Sequence, residues 1–262
     1  QMLVGIQFAA AGFLLILVTV TQLQRAELER MALAPRQDPI LVLNNLSRLD
    51  VDYETLAARL AGLAGVRSVS VVDKPLLGGG GVNLVQFART AAAGADAPGG
   101  YFKAVGYDYF ETLSLDVLAG RAFDRERDPA PVDLFAPGAS EIPAVIIDRA
   151  YAQRLGFEGP DAAVGATIYV PASFTQAFGR AAQPARIVGV TETEPTLLES
   201  GDAEGTIYTY TPRAPWGGQY PLVRIAGDNA PATIAAITRT WDDLAPATPI
   251  NIRFFDDLFE QG

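Results

Sequence analysis

The side chains available for chemistry in this chain are few in kind. It contains no His and no Cys. Without imidazole there is no Ser-His-Asp triad, no Cys-His pair and no histidine zinc site. Without thiols there is no disulfide, no thiol nucleophile and no thiolate metal site. Lys occurs only as Lys74 and Lys103, so a Ser-Lys dyad has few placements. Carboxylate and phenol chemistry remain. The acids include the adjacent pairs Asp242-Asp243 and Asp256-Asp257. Adjacent residues on a helix or strand point apart, so each pair reads as a solvated face. The spacing D-x-D-x-D-G of a calcium loop is absent. The run PLLGGGG (75–81) is followed by VNLV rather than the Lys of a phosphate loop, and reads as a flexible connection. The densest cluster is 107–123, YDYFETLSLDVLAGRAF. Tyr109, Phe110, Leu113, Leu115 and Leu118 fit a helical turn leading into a buried strand. Gly120 suits a bend there, Arg121 is placed to tie it to an acid or carbonyl, and Phe123 closes the segment. With no His, Cys or metal spacing, the cluster reads as packing rather than as a catalytic site.

The elements that must position this segment follow from hydrophobic patterning. DPILVLNNL (38–46) reads as a buried strand. Asp52 caps a helix that carries Leu56, Leu60 and Leu63 on one face and ends at Gly62 or Gly65. VRSVSVVDK (66–74) alternates as a strand. After a second loop at 91–100, YFKAVG (101–106) reads as a strand, YDYFETL as one or two helical turns, and LDVLAGRAF as a strand ending at Gly120. A Pro-rich loop covers 125–143. A strand to Ile147 then meets a helix capped by Asp148 and ending at Gly156. Residues 164–170, 185–193, 205–212 and 220–228 read as strands. A helix over 230–246 places Ile234, Ile237 and Trp241 at helical spacing, and INIRFF is a final strand. Two β-α-β units, 38–74 and 220–256, thus flank a strand-rich middle. The expected fold is α+β, the outer units sharing one sheet and the middle forming an inserted lobe.

With 262 residues, 49% of them hydrophobic, the chain can bury one large core or two small ones. Its 30 acids against 20 Lys plus Arg give a net charge of −10. Such a surface repels phosphate backbones and argues against nucleic acid as a partner. The first charge appears only at Arg25. Met2 to Leu23 as a helix would span roughly 33 Å, enough for a hydrocarbon core of about 30 Å. Residues 1–24 are therefore expected to cross a membrane. Arg25, Glu27, Glu29 and Arg30 balance, so flanking charge does not orient the helix. No basic flank precedes Gln1, and the chain reads as part of a longer protein.

Several stretches carry a family resemblance. They are the apolar helix with Leu3, Val4 and Gln7, the segment Tyr109-Phe110-x-T-L-x-L-x-x-L-x-Gly120-Arg121-x-Phe123, and VIIDRAYAQRLGF, VGATIYV, RIVGVTET and NIRFFDDLFEQ. Together the chain resembles the MacB-like periplasmic core domain of ABC-transporter permeases, in the wider FtsX-like group. The opening LVGIQFAAAGFLLILV resembles the second unit of duplicated permeases. The resemblance implies a transmembrane helix (1–24), a porter-like lobe in two parts (25–106 and 215–262) and an inserted sabre-like lobe (107–214). It also implies a bacterial inner-membrane location with the soluble part periplasmic. ATP would be hydrolysed on a separate ABC ATPase subunit, so this chain itself would carry no cofactor. Other implied partners are a second permease copy or half, membrane lipid and a periplasmic adaptor. The resemblance implies three further helices after the domain, so the chain is expected to be a fragment of such a permease.

Three functions compete on this reading. One is a non-catalytic permease domain that couples cytoplasmic ATP hydrolysis to export. A second is an anchored enzyme, which the acid pairs support poorly. The third is an anchored binding or sensor domain. For that, Phe174 and Phe178, four residues apart, and Trp216 beside two glycines are candidate contact residues for a partner or substrate.

Overall fold

The computed structural model describes residues 38–44, 46, 52–74, 84–92, 97–128, 142–170, 182–194, 204–210 and 218–257. They belong to one compact unit, Gln37–Gly262. The expected membrane helix, the glycine run at 75–81, and Phe174, Phe178 and Trp216 lie outside the described residues. Among those described, no helix is long and apolar enough to cross a membrane.

Strands dominate, and they join into one mixed sheet. The outer half is built from β1 (Ile40–Asn44), β2 (Val66–Val72), β10 (Tyr220–Ile225) and β11 (Asn251–Phe254). Its order is β11-β1-β10-β2, and every neighbouring pair is antiparallel. Each β-α-β unit therefore has a strand of the other unit lying beside or between its own, the split β-α-β arrangement. The shared sheet expected from the sequence is present, and it is interleaved.

Local chemistry explains the two helices of this half. The helix α1 (Tyr53–Ala61) starts where the Asp52 carboxylate accepts from the Thr55 N–H at 2.9 Å and the Thr55 hydroxyl at 2.7 Å. It buries Leu56 and Leu60 and stops at Gly62. The long helix α5 (Ala230–Leu244) begins with Pro in its first turn, where the missing N–H costs nothing. It buries Ile237 and Trp241, and the Trp241 indole donates to the Thr248 carbonyl at 2.8 Å. Both helices cover the face of the sheet that carries Leu41, Leu43, Val223 and Ile225. Ile40 and Val42 point to the opposite face, which is why β1 reads as a continuous apolar run.

The central half contains β3 (Leu84–Gln86), β4 (Gly99–Val105), β5 (Val117–Gly120), β6 (Ala144–Asp148), β7 (Thr167–Val170), β8 (Gln183–Thr191) and β9 (Thr206–Tyr210). Its order continues as β4-β9-β6-β8-β5, with β3 on β4 and β7 on β8. The pairs β4·β9 and β6·β8 are parallel. Three short helices accompany it: α2 (Tyr109–Leu113), α3 (Arg149–Arg154) and α4 (Pro160–Ala163).

Some expectations shift here. The span 91–100 was expected to be loop, yet β4 begins at Gly99. A Cβ at Gly100 would lie 2.6 Å from the Tyr151 ring, so a side chain is excluded by close packing rather than by a turn. The strand expected over 164–170 begins at Thr167, because Pro160–Ala163 forms a helical turn before it. β4 falls within the part expected to end at residue 106. It pairs with β9 from Tyr101 to Val105 and with β2 only at Val72↔Val105.

Among the described residues, three clusters form the core. One lies in the central half around Phe87, Tyr151 and Ile187, and one lies under α1 and α5. The third joins residues of both halves: Ile40, Val42 and Leu222 from the outer strands, Ile146, Tyr208 and Tyr210 from the central ones, and Tyr109, Phe110, Leu113 and Phe123 from the 107–123 segment.

Candidate functional site

The halves meet at a narrow seam. The Asp73 N–H donates to the Ala104 carbonyl at 3.0 Å, the Ala104 N–H donates back to the Asp73 carboxylate at 3.1 Å, and the Gly106 N–H donates to Val71 at 2.9 Å. Burial pushes the Asp73 carboxyl upward, against the Ala104 N–H and the two lysine charges that hold it down. The chain then turns into α2, which is tied to both sides. On the outer side the Arg224 guanidinium of β10 donates to the Thr112 carbonyl at 2.5 and 3.0 Å and to the Ser114 hydroxyl at 2.6 Å. The Thr112 hydroxyl donates to Ser68 of β2 at 2.9 Å.

On the central side lies a buried polar cluster centred on Glu194, just after β8. Its Oε1 accepts from the Tyr109 hydroxyl at 2.9 Å and the Tyr208 hydroxyl at 2.8 Å. Its Oε2 accepts from the Lys103 ammonium of β4. Glu194 is 2% exposed and Lys103 8%. Burial alone would raise the Glu194 carboxyl, but the Lys103 charge and the tyrosine hydroxyls outweigh it and hold it below its ordinary value. Tyr109 and Tyr208 are pushed well above theirs, by burial first and then by the Glu194 charge. The carboxylate stays ionised and the phenols stay protonated, so the cluster is a set of charge-assisted bonds with no face open to a substrate. It acts as a latch and not as an acid-base pair. Asp148 lies close enough to feel Glu194; burial and then that charge raise its carboxyl to about 6, against the Tyr151 N–H that it caps at 2.8 Å.

Tyr109 and Phe110 are buried and meet edge to face, with centroids 5.6 Å apart. Phe110 also meets the Tyr208 ring at 5.1 Å and Phe123 at 6.3 Å. Gly120 has φ +74°, and a Cβ there would lie 2.3 Å from the Val188 carbonyl. The Arg121 guanidinium grips the Asp128 carboxylate at 2.5 and 3.0 Å and the Ala122 carbonyl at 3.0 Å. That closes a turn over 124–128, in which the Glu126 and Arg127 N–H groups both donate to Asp124 at 3.0 Å. The turn presents Arg125 to Tyr107. Tyr109, Phe110 and Phe123 thus come together in one core, while Gly120 and Arg121 shape the approach to it. Asp242 and Asp243 are exposed at the end of α5. No group of acids that could hold a metal ion occurs among the described residues.

Sequence reasoning passed over Glu194 and Arg224. The signal for the first was Lys103, a lone Lys inside the apolar strand YFKAV, which requires a buried anion.

The profile of the family described as MacB-like periplasmic core domain matches residues 2–240. Among solved structures, the chain is similar to the periplasmic region of MacB from Actinobacillus actinomycetemcomitans, at 14% identity and TM-score 0.56, covering 88% of this chain and 96% of that one. It is also similar to the extracellular domain of the noncanonic ABC-type transporter YknZ from Gram-positive bacteria. That likeness has 14% identity and TM-score 0.50, over 83% of this chain and 99% of that one. No curated protein matches the chain. At such identities the structures speak for the fold, and the sequence profile speaks for descent: the chain belongs to the MacB-like periplasmic core domain family.

Proposed function

We propose that this chain is the non-catalytic extracytoplasmic part of an ABC-transporter permease, coupling ATP hydrolysis on a separate ATPase subunit to export at the periplasmic side. In this reading the 1–24 helix anchors it in the inner membrane. Residues 25–106 and 215–262 form the porter-like lobe and 107–214 the inserted sabre-like lobe, with β4 of the first joined to β9 of the second, and a second permease copy or half, membrane lipid and a periplasmic adaptor are its neighbours. One observation carries the proposal: α2 is bonded to both halves, through Arg224 and Ser68 on one side and Glu194 on the other. A domain that transmits movement needs its parts to move as one body, and a buried latch supplies that stiffness. The connection QRAELERMAL (24–33) contains no Gly or Pro, so it can extend the helix without slack.

The test uses the complete permease with its ATPase. A Pro-Gly insertion after Arg30 is expected to leave ATP hydrolysis running while export fails. Export at the wild-type rate with the insertion in place would rule the coupling role out.

A further inference from the structure

A cleft of about 590 Å³ opens between α1 and the turn that leads into α2, within the size range of ligand sites. One wall is α1, with Tyr53 and Glu54 in its first turn and the small side chains Ala57, Ala58 and Ala61 beyond. Opposite stand Tyr107, Asp108 and Tyr210, the two tyrosine rings stacked with centroids 3.8 Å apart at 24°. A cation already sits in this setting. The Arg125 guanidinium lies 4.6 Å from the Tyr107 ring centre and 3.1 Å from the Asp108 carboxylate. The pair is weakly held: the side chains are 70% and 42% exposed, where ion pairs contribute little. Glu54, the second carboxylate of the cleft, has no ion-pair partner among the described residues. Tyr53, Glu54, Asp108 and Arg125 all line this one cleft.

We propose that this cleft binds the guanidinium of an arginine side chain in a polypeptide segment, which displaces Arg125 from Tyr107 and Asp108. The aromatic face and the carboxylates suit a planar cation that stacks and donates at once. An anion would meet two carboxylates and a chain of net charge −10. The alanine surface of α1 leaves room for the residues flanking the arginine. Arg125 is dispensable to its own turn, which Arg121, Asp128 and Asp124 close through other bonds.

The test is calorimetric titration of the full chain in non-ionic detergent with acetyl-Gly-Arg-Gly-amide and with its citrulline counterpart, which keeps the shape and loses the charge. The arginine peptide should bind and the citrulline peptide should not. R125A, which removes the internal competitor, should bind roughly three- to fivefold tighter, the worth of one exposed cation–π contact. E54Q should weaken binding. Both substitutions are at exposed sites and should lower the melting temperature by no more than about 2–4 °C. Equal responses to the two peptides, no response to either, or unchanged affinity in R125A would overturn the proposal. The readout involves no transport, so its failure would leave the coupling role standing.

Discussion

Asp148 is a buried carboxylate that must serve as a helix cap while sitting near the Glu194 charge. Its carboxyl is raised from 3.8 to about 6, so the folded state holds a proton that the unfolded state releases between those values. That contribution to stability is full below about pH 3.8 and is lost as pH rises through about 6. The shift corresponds to on the order of 3 kcal/mol. Asp148→Asn keeps an oxygen to accept from Tyr151 and cannot ionise. The variant should therefore be more stable than the wild type at pH 7.5, by roughly 1–3 kcal/mol, and the two should converge by pH 4. Urea unfolding across that range checks it; parallel pH profiles would refute the assignment. Glu194 has the opposite sign. Its carboxyl is held low, so its contribution is lost only as pH falls below the ordinary carboxylate range. Neutralising it at any pH would strand the Lys103 ammonium in the core, a costlier state than having neither charge.

At the scale of elements, β5 depends on one backbone conformation. Gly120 turns with φ +74° against the Val188 carbonyl, and a carbonyl of the neighbouring strand cannot swing away as a side-chain tip could. Gly120→Ala should cost about 1–3 kcal/mol, from the left-handed backbone and the clash together. Thermal unfolding would show it as a lowered midpoint, and an unchanged midpoint would refute the geometry. This position was legible because a Gly-Arg pair ending an apolar strand signals a bend. The helices α1 and α5 were legible for related reasons: Asp52 ahead of Leu56 and Leu60 states a cap, and Ile237 and Trp241 repeat at helical spacing. β4 was hidden at its start because glycine has two uses, freedom in loops and thinness in sheets, and Gly99-Gly100 does not say which applies. The latch was less legible still. Lys103 and Glu194 are 91 residues apart, and only a three-dimensional path brings them together. The lone Lys in YFKAV implied an anion without naming it. Pairing order was hidden too: β10 lies between β1 and β2 although it follows them by more than half the length of the chain.

Across the whole molecule, the seam poses a question of cooperativity. The β2·β4 ladder has a single register pair, too little to make two halves of a sheet unfold together. The shared core supplies what the ladder lacks. Phe110 and Tyr109 belong to one core cluster with Leu222 and Val42 of the outer strands and Tyr208 and Ile146 of the central ones, so their burial depends on both halves staying closed. Truncating Phe110 to Ala should remove about 3–5 kcal/mol, and the loss should be felt by both halves. Native-state hydrogen exchange can resolve this, since each half has its own reporters: the β1·β10 amides for the outer strands and the β6·β9 amides for the central ones. In the Phe110→Ala variant both sets should lose protection by the same factor, and chemical unfolding should remain one transition at lower denaturant. Two transitions, or protection lost from one set alone, would mean that the halves are stable independently. The Glu194 and Arg224 bonds would then be contacts between neighbours rather than parts of one body, and α2 could not pass movement from one half to the other.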